Sequence, residues 1–153
     1  MELGSGVTRW VRGILSRRRP EPLDRTRADL VVVVSGFDDV ESCSAVLERG
    51  AAGSPEWIAD AEAVLRHHLH LPAVAVDAVT AIAAQDGYAP SADLDAGTEG
   101  PAGTDGTVVL LLERVQVLDA LHCSQERSRM AGLAQRHGGT ALGWDGLQPL
   151  PPA

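Results

Sequence analysis

The sequence contains no lysine and no asparagine, and all 13 of its basic residues are arginine. No physical requirement removes both types together, so this absence reads as the coding bias of a GC-rich genome. Aromatic residues make up only 3% (Trp10, Phe37, Trp57, Tyr88 and Trp144), so any core is built from Val, Leu, Ala and Ile. Two cysteines, Cys43 and Cys123, are too few for a disulfide framework, and neither belongs to a C-x-x-C pair. No apolar run approaches the roughly 20 residues of a membrane-spanning helix. The basic start lacks the apolar stretch and small-residue cleavage site of a secretory signal, so a reduced, cytoplasmic chain is expected.

What is present is globular composition. The 153 residues are 44% hydrophobic and 22% charged, which fits one ordinary domain. The formal net charge of -8 is unevenly spread. Residues 1–27 carry seven Arg against three acids, leaving +4; the remainder carries six Arg against eighteen acids, leaving -12. An acidic body repels phosphate backbones, so it disfavours direct nucleic-acid binding and suits a basic protein partner.

Residues 1–27 read as a basic flexible tail and linker. Val7, Trp10, Val11, Ile14 and Leu15 have helical spacing, but Gly4, Gly6 and Gly13 weaken a helix that would otherwise rest on a membrane surface or a partner. Residues 28–65 are expected as a strand–helix–helix extension packing on the core. Leu30–Val34 is a β-branched run. Asp38 and Glu41 have capping-box spacing ahead of a helix with Val40, Cys43 and Leu47 on one face, ended by Gly50 or Gly53. Ser54-Pro55-Glu56 has the form of a helix start, continued by Trp57, Ile58, Ala61, Val64 and Leu65.

Residues 66–148 read as β-α-β-β-α-β, with a Pro-rich tail at 149–153. The strands are expected at 66–71, 88–94, 107–118 and 140–144. Helices are expected around Ala75–Ala83 and from an Asp119 cap to about His137. Residues 95–106 form a glycine-rich loop. Right-handed crossovers fold that order into a ferredoxin-like α+β domain: a four-stranded antiparallel sheet, order 4-1-3-2, with two helices on one face. Both faces of the 107–118 strand are apolar, so something must cover the second. Residues 28–65, a second copy or a partner could do so, and the extension is expected to do much of it.

Three stretches carry a family resemblance. His67-His68-Leu69-His70-Leu71-Pro72, Gln85-Asp86-Gly87-Tyr88, and the ending Leu133-Ala134-Gln135-Arg136-His137-Gly138-Gly139 followed by Gly143-Trp144-Asp145-Gly146 resemble, in order and spacing, the ribonuclease E inhibitor RraB family. The likeness spans about residues 64–148; it departs where Leu142 replaces an acidic residue before Gly-Trp. It implies a non-enzymatic regulatory protein that binds a ribonuclease E-type endoribonuclease and modulates RNA decay, with no cofactor. The partner-binding candidates are Trp144, Asp145, Tyr88, His68 and His70; Trp144, flanked by Gly143 and Gly146, is either core or groove wall, the favoured reading, or an exposed interface anchor.

Other readings stand beside this one. His68 and His70 share a strand face opposite a half-exposed His67, and with His122, His137 and the cysteines could in principle hold zinc. No C-x-x-C, H-x-x-x-H or H-E-x-x-H spacing supports that, so no metal is expected and a histidine-based metal hydrolase ranks last. Cys123 beside His122 does not form a nucleophile–base pair, because neighbouring helical residues point about 100° apart. A small-ligand-binding or homodimeric ferredoxin-like domain unrelated to RNA is the alternative. Glu113 and Arg114 interrupt an apolar strand and mark a bulge or a buried pair.

Overall fold

The computed structural model describes residues 21–91 and 106–151. They form an α+β fold of five strands and three α-helices: β1 (Leu30–Gly36), α1 (Cys43–Ala51), β2 (Glu62–Pro72), α2 (Val76–Ala84), β3 (Ala89–Pro90), β4 (Thr107–Val117), α3 (Ala120–Arg136) and β5 (Thr140–Pro149). The strands make one antiparallel sheet in the order β1-β5-β2-β4-β3. The four expected strands thus neighbour one another as 4-1-3-2, but the sheet is five-stranded because β1 adds beside β5. The reading of residues 1–20 and 95–105, the end of the strand expected at 88–94, and the last two residues lie outside the described residues; of that strand, Ala89–Pro90 is paired with β4.

Alternation along β2 sorts the sheet into two faces. Ala63, Leu65, His67, Leu69 and Leu71 point to the helices, and all five are buried. At one end Leu69, Leu71, Leu110 and Leu112 pack with Val79 and Ala83 of α2 and with Met130, Leu133 and Ala134 of α3. At the other end Val34, Leu65 and Trp144 pack with Cys43, Val46 and Leu47 of α1 and with Cys123 of α3. All three helices therefore share one face.

Three expectations for residues 28–65 are corrected. First, the extension widens the sheet and adds a helix to the covered face, because Val34 and the Cys43/Val46/Leu47 stripe find their apolar partners there; it does not cover the second face. Second, α1 is capped by Ser42, whose Oγ accepts from Ala45 N. Asp38 instead accepts from Val40 N in a local turn, leaving Val40 92% exposed. Third, no helix forms over 54–65. Ala63, Val64 and Leu65 are fully buried in β2, paired with β4 and β5, so two-sided burial in the sheet overrides the helical spacing.

Local chemistry explains the remaining boundaries. Asp119 caps α3 by accepting from His122 N at 2.8 Å. At its far end Gly139 N donates to Ala134 O (2.8 Å) and Gly138 N to Gln135 O (3.2 Å), the paired bonds of a Schellman ending. Gly138 takes φ +77°, and a Cβ on Gly139 would overlap the His70 carbonyl and Leu71, so both glycines are required. The last strand runs ten residues, well past Trp144.

The second face is crossed by residues 21–29. Leu23 N donates to Glu62 Oε1 (3.0 Å), and Arg25 Nη1 donates to the Pro90 carbonyl (3.0 Å) and lies 3.3 Å from Glu113 Oε1. The stretch expected as linker is thus tied to the sheet from Leu23 onward.

Candidate functional site

Charged side chains in a sheet interior are costly unless paired, and here they are paired across strands. The register places Ser35, Asp145, Arg66, Glu113 and Ala89 in one row across all five strands, on the second face. Arg66 forks onto Asp145, with Nε to Oδ1 at 2.9 Å and Nη2 to Oδ2 at 2.7 Å. His68 Nε2 lies 3.2 Å from the same Oδ2. Burial raises the Asp145 pKa, but the contacts from His68 and Arg66 outweigh it and hold the carboxyl below its ordinary value. Glu113 takes Arg25 from the crossing segment. Glu113 and Arg114 therefore form neither a bulge nor a pair with each other: the β2–β4 register is continuous, and the two residues serve opposite faces.

Phe37, just past β1, is set edge-on over His68 with ring centroids 5.0 Å apart and planes at 72°. It fits there because residue 143 is glycine; a Cβ at that position would overlap the Phe37 ring. Phe37 remains 49% exposed, Leu142 next to Gly143 is 42% exposed, and Asp38 and Asp39 follow in the same loop. The β1–α1 loop end of the sheet thus presents apolar side chains beside two carboxylates that form no ion pair among the described residues. His70 is farther along the strand, its Nε2 2.8 Å from Thr107 Oγ1.

On the helix face a second polar cluster is buried. Tyr88 donates its hydroxyl to Glu126 Oε2 (2.9 Å), and His67 Nε2 lies 3.4 Å from the Tyr88 oxygen. Arg114 stacks on the Tyr88 ring at 4.5 Å and lies 3.3 Å from Glu126 Oε1. Arg114 also donates to the Asp86 carbonyl, while Arg129 reaches Asp86 and Glu126. The cluster ties α3 to β4 and to the turn after α2. His67 is 2% exposed rather than half-exposed, and burial, followed by repulsion from Arg114, lowers its pKa from 6.5 to about 3. Burial drives the Tyr88 hydroxyl well above its usual range.

The expected partner residues therefore separate. Asp145 and His68 come together on the second face, and His70 lies on the same face. Tyr88 belongs to the buried cluster. Trp144 is 1% exposed inside the α1-side core, its Nε1 packed against Gly36 and without a hydrogen-bond partner among the described residues. Neither aromatic is an exposed anchor. Sequence reasoning did not single out Phe37, Arg66 or Glu126. Their available signals were the only phenylalanine of the chain, placed after a strand, and charges interrupting apolar patterns.

The thiols sit among apolar side chains. Burial pushes the Cys123 thiol up to about 12 and raises that of Cys43, which leaves little thiolate at neutral pH. Among the described residues, no group of three His, Cys, Asp or Glu side chains is placed to hold a metal ion, and no helix is long and apolar enough to cross a membrane. Comparison with protein-family models, curated proteins and solved structures gives no match.

Proposed function

We propose that this chain is a non-enzymatic regulatory protein that docks a basic segment of a protein partner on the β1–α1 loop end of its sheet. The β2-α2-β3-β4-α3-β5 order, with strands arranged β5-β2-β4-β3, supports a ferredoxin-like core extended by β1. By resemblance to RraB, the partner is a ribonuclease E-type endoribonuclease, and the consequence of binding is altered RNA decay in the cytoplasm.

One observation carries the reading. Phe37 is held half-exposed on a rigid support, His68 backed by Asp145 and Arg66, beside exposed Leu142 and the Asp38–Asp39 pair. An apolar anchor flanked by acids on an acidic body complements a peptide that mixes Arg with apolar residues. Anchors on a pre-formed support lose little conformational freedom on binding.

The test is titration of the chain against a purified ribonuclease E-type enzyme. Micromolar or tighter binding is expected, with Phe37→Ala weakening it by about tenfold, the loss of one modest interface anchor. No binding at micromolar concentrations, or full affinity in Phe37→Ala, contradicts the proposal. A second reading has its own support. A cavity of about 550 Å³ beneath residues 25–28, lined also by Arg66, Ser91 and Glu113, has the size and mixed polarity of a small-ligand site.

A further inference from the structure

Behind the β1–α1 loop, on the helix side of the sheet, lies a cleft of about 240 Å³ between α3 and the start of β5. Asp38 and Asp39 stand in its wall on the loop side, Arg127, Ser128 and Ala131 on the helix side, and His67 reaches it from β2. The polarity of His67 is fixed by its neighbours. Tyr88 has a single O–H, which goes to Glu126, so its oxygen accepts from His67 Nε2–H. In that neutral tautomer Nδ1 carries the lone pair, and among the described residues it has no hydrogen-bond partner. The residue is buried and stays uncharged at neutral pH. The cleft is therefore lined by a buried histidine whose Nδ1 is an unused acceptor and by two carboxylates, of which Asp39 makes no hydrogen bond among the described residues. Arg127, whose guanidinium donates to the Glu41 carbonyl at 2.7 Å at the start of α1, offsets one of these two negative charges and leaves the three charged groups of the lining with a net charge of -1.

We infer that this cleft is the subsite for one arginine side chain of the partner's basic segment. The inference rests on the docking surface proposed above, which shares the β1–α1 loop. A ligand here must carry positive charge and must donate in several directions at once, to His67 Nδ1 and to the carboxylates. A guanidinium does so with five donors in a planar fork, and it desolvates more readily than an ammonium. A lysine offers one compact, strongly hydrated charge and satisfies fewer of these groups. Phe37 and Leu142, on the neighbouring surface, take the apolar residues flanking that arginine.

The experiment uses the full chain and three blocked pentapeptides, Gly-Leu-Xaa-Leu-Gly, with arginine, lysine or citrulline as Xaa. Binding is followed by the side-chain ¹⁵N resonances of His67. The arginine peptide is expected to bind at least tenfold more tightly than the citrulline peptide and more tightly than the lysine peptide, and to shift the Nδ1 signal. Asp38→Asn with Asp39→Asn lowers that affinity about tenfold. Ala131→Leu, which fills the cleft, removes it; Ser128→Arg, at an exposed helical position, does the same should Ala131→Leu fail to fold. Equal binding of the arginine and citrulline peptides, equal binding of the lysine peptide, or undiminished binding in a folded blocking variant overturns the subsite. The two claims fail separately. Capture of the ribonuclease by both wild type and Ala131→Leu with equal affinity removes the subsite and leaves the docking surface. Failure of wild type to bind the ribonuclease, with arginine discrimination intact, removes the ribonuclease reading alone.

Discussion

His67 makes the fold sensitive to acid through a single residue. It is neutral and buried in the folded state with a pKa of about 3, while the unfolded chain binds a proton near 6.5. Between those values the unfolded state holds more protons, so stability rises with pH and falls as acid is added. The limiting slope is about 1.4 kcal/mol per pH unit for one such group. Asp145 acts in the same direction but lower, because its depressed pKa costs stability only as pH falls below the ordinary carboxylate range. Urea midpoints measured from pH 7.5 to 4.5 are therefore expected to fall from about pH 6.5 downward. His67→Phe should flatten that decline while leaving any loss below pH 4. A midpoint independent of pH over this range in the wild type contradicts the burial of a neutral His67.

At the scale of elements, the Gly-Gly and Gly-Trp motifs have structural roles. Gly138 ends α3, Gly139 lets the chain pass the His70 carbonyl, and Trp144 fills the core between α1 and β5. Gly139→Ala is expected to destabilise the fold by about 1–3 kcal/mol, the usual range for forcing extra volume into a packed site, and Trp144→Ala by about 3–5 kcal/mol. Chemical denaturation checks both; a Gly139→Ala variant as stable as wild type contradicts the close approach. These motifs were legible in sequence because special backbone angles and large aromatics leave marks. The helix expected over 54–65 was not, since an apolar strand buried on both faces has no alternation to separate it from a helix. The placement of β1 beside β5 was equally hidden, because it depends on pairing with residues more than a hundred positions away. On the second face Asp145 and His68 were anticipated as site residues. Their organiser Arg66 was not, as a lone charge in a strand does not announce its cross-strand partner.

At the scale of the whole molecule, helices cover one face of the sheet, and the other is crossed by residues 21–29 through Arg25 and Leu23. The β1–α1 loop joins the two sides, with Phe37 facing His68 and the Asp38–Asp39 pair lining the cleft behind it. This geometry makes the loop end the place where one partner segment can engage an apolar anchor and an acidic wall together. The excess of acids predicts that such binding weakens as salt is raised. Hydrogen–deuterium exchange of the chain with and without a ribonuclease E-type partner tests the docking surface most directly. The account predicts new protection concentrated in residues 36–41 and 140–143. Protection confined to β3 and α2, or none at saturating partner, would contradict it.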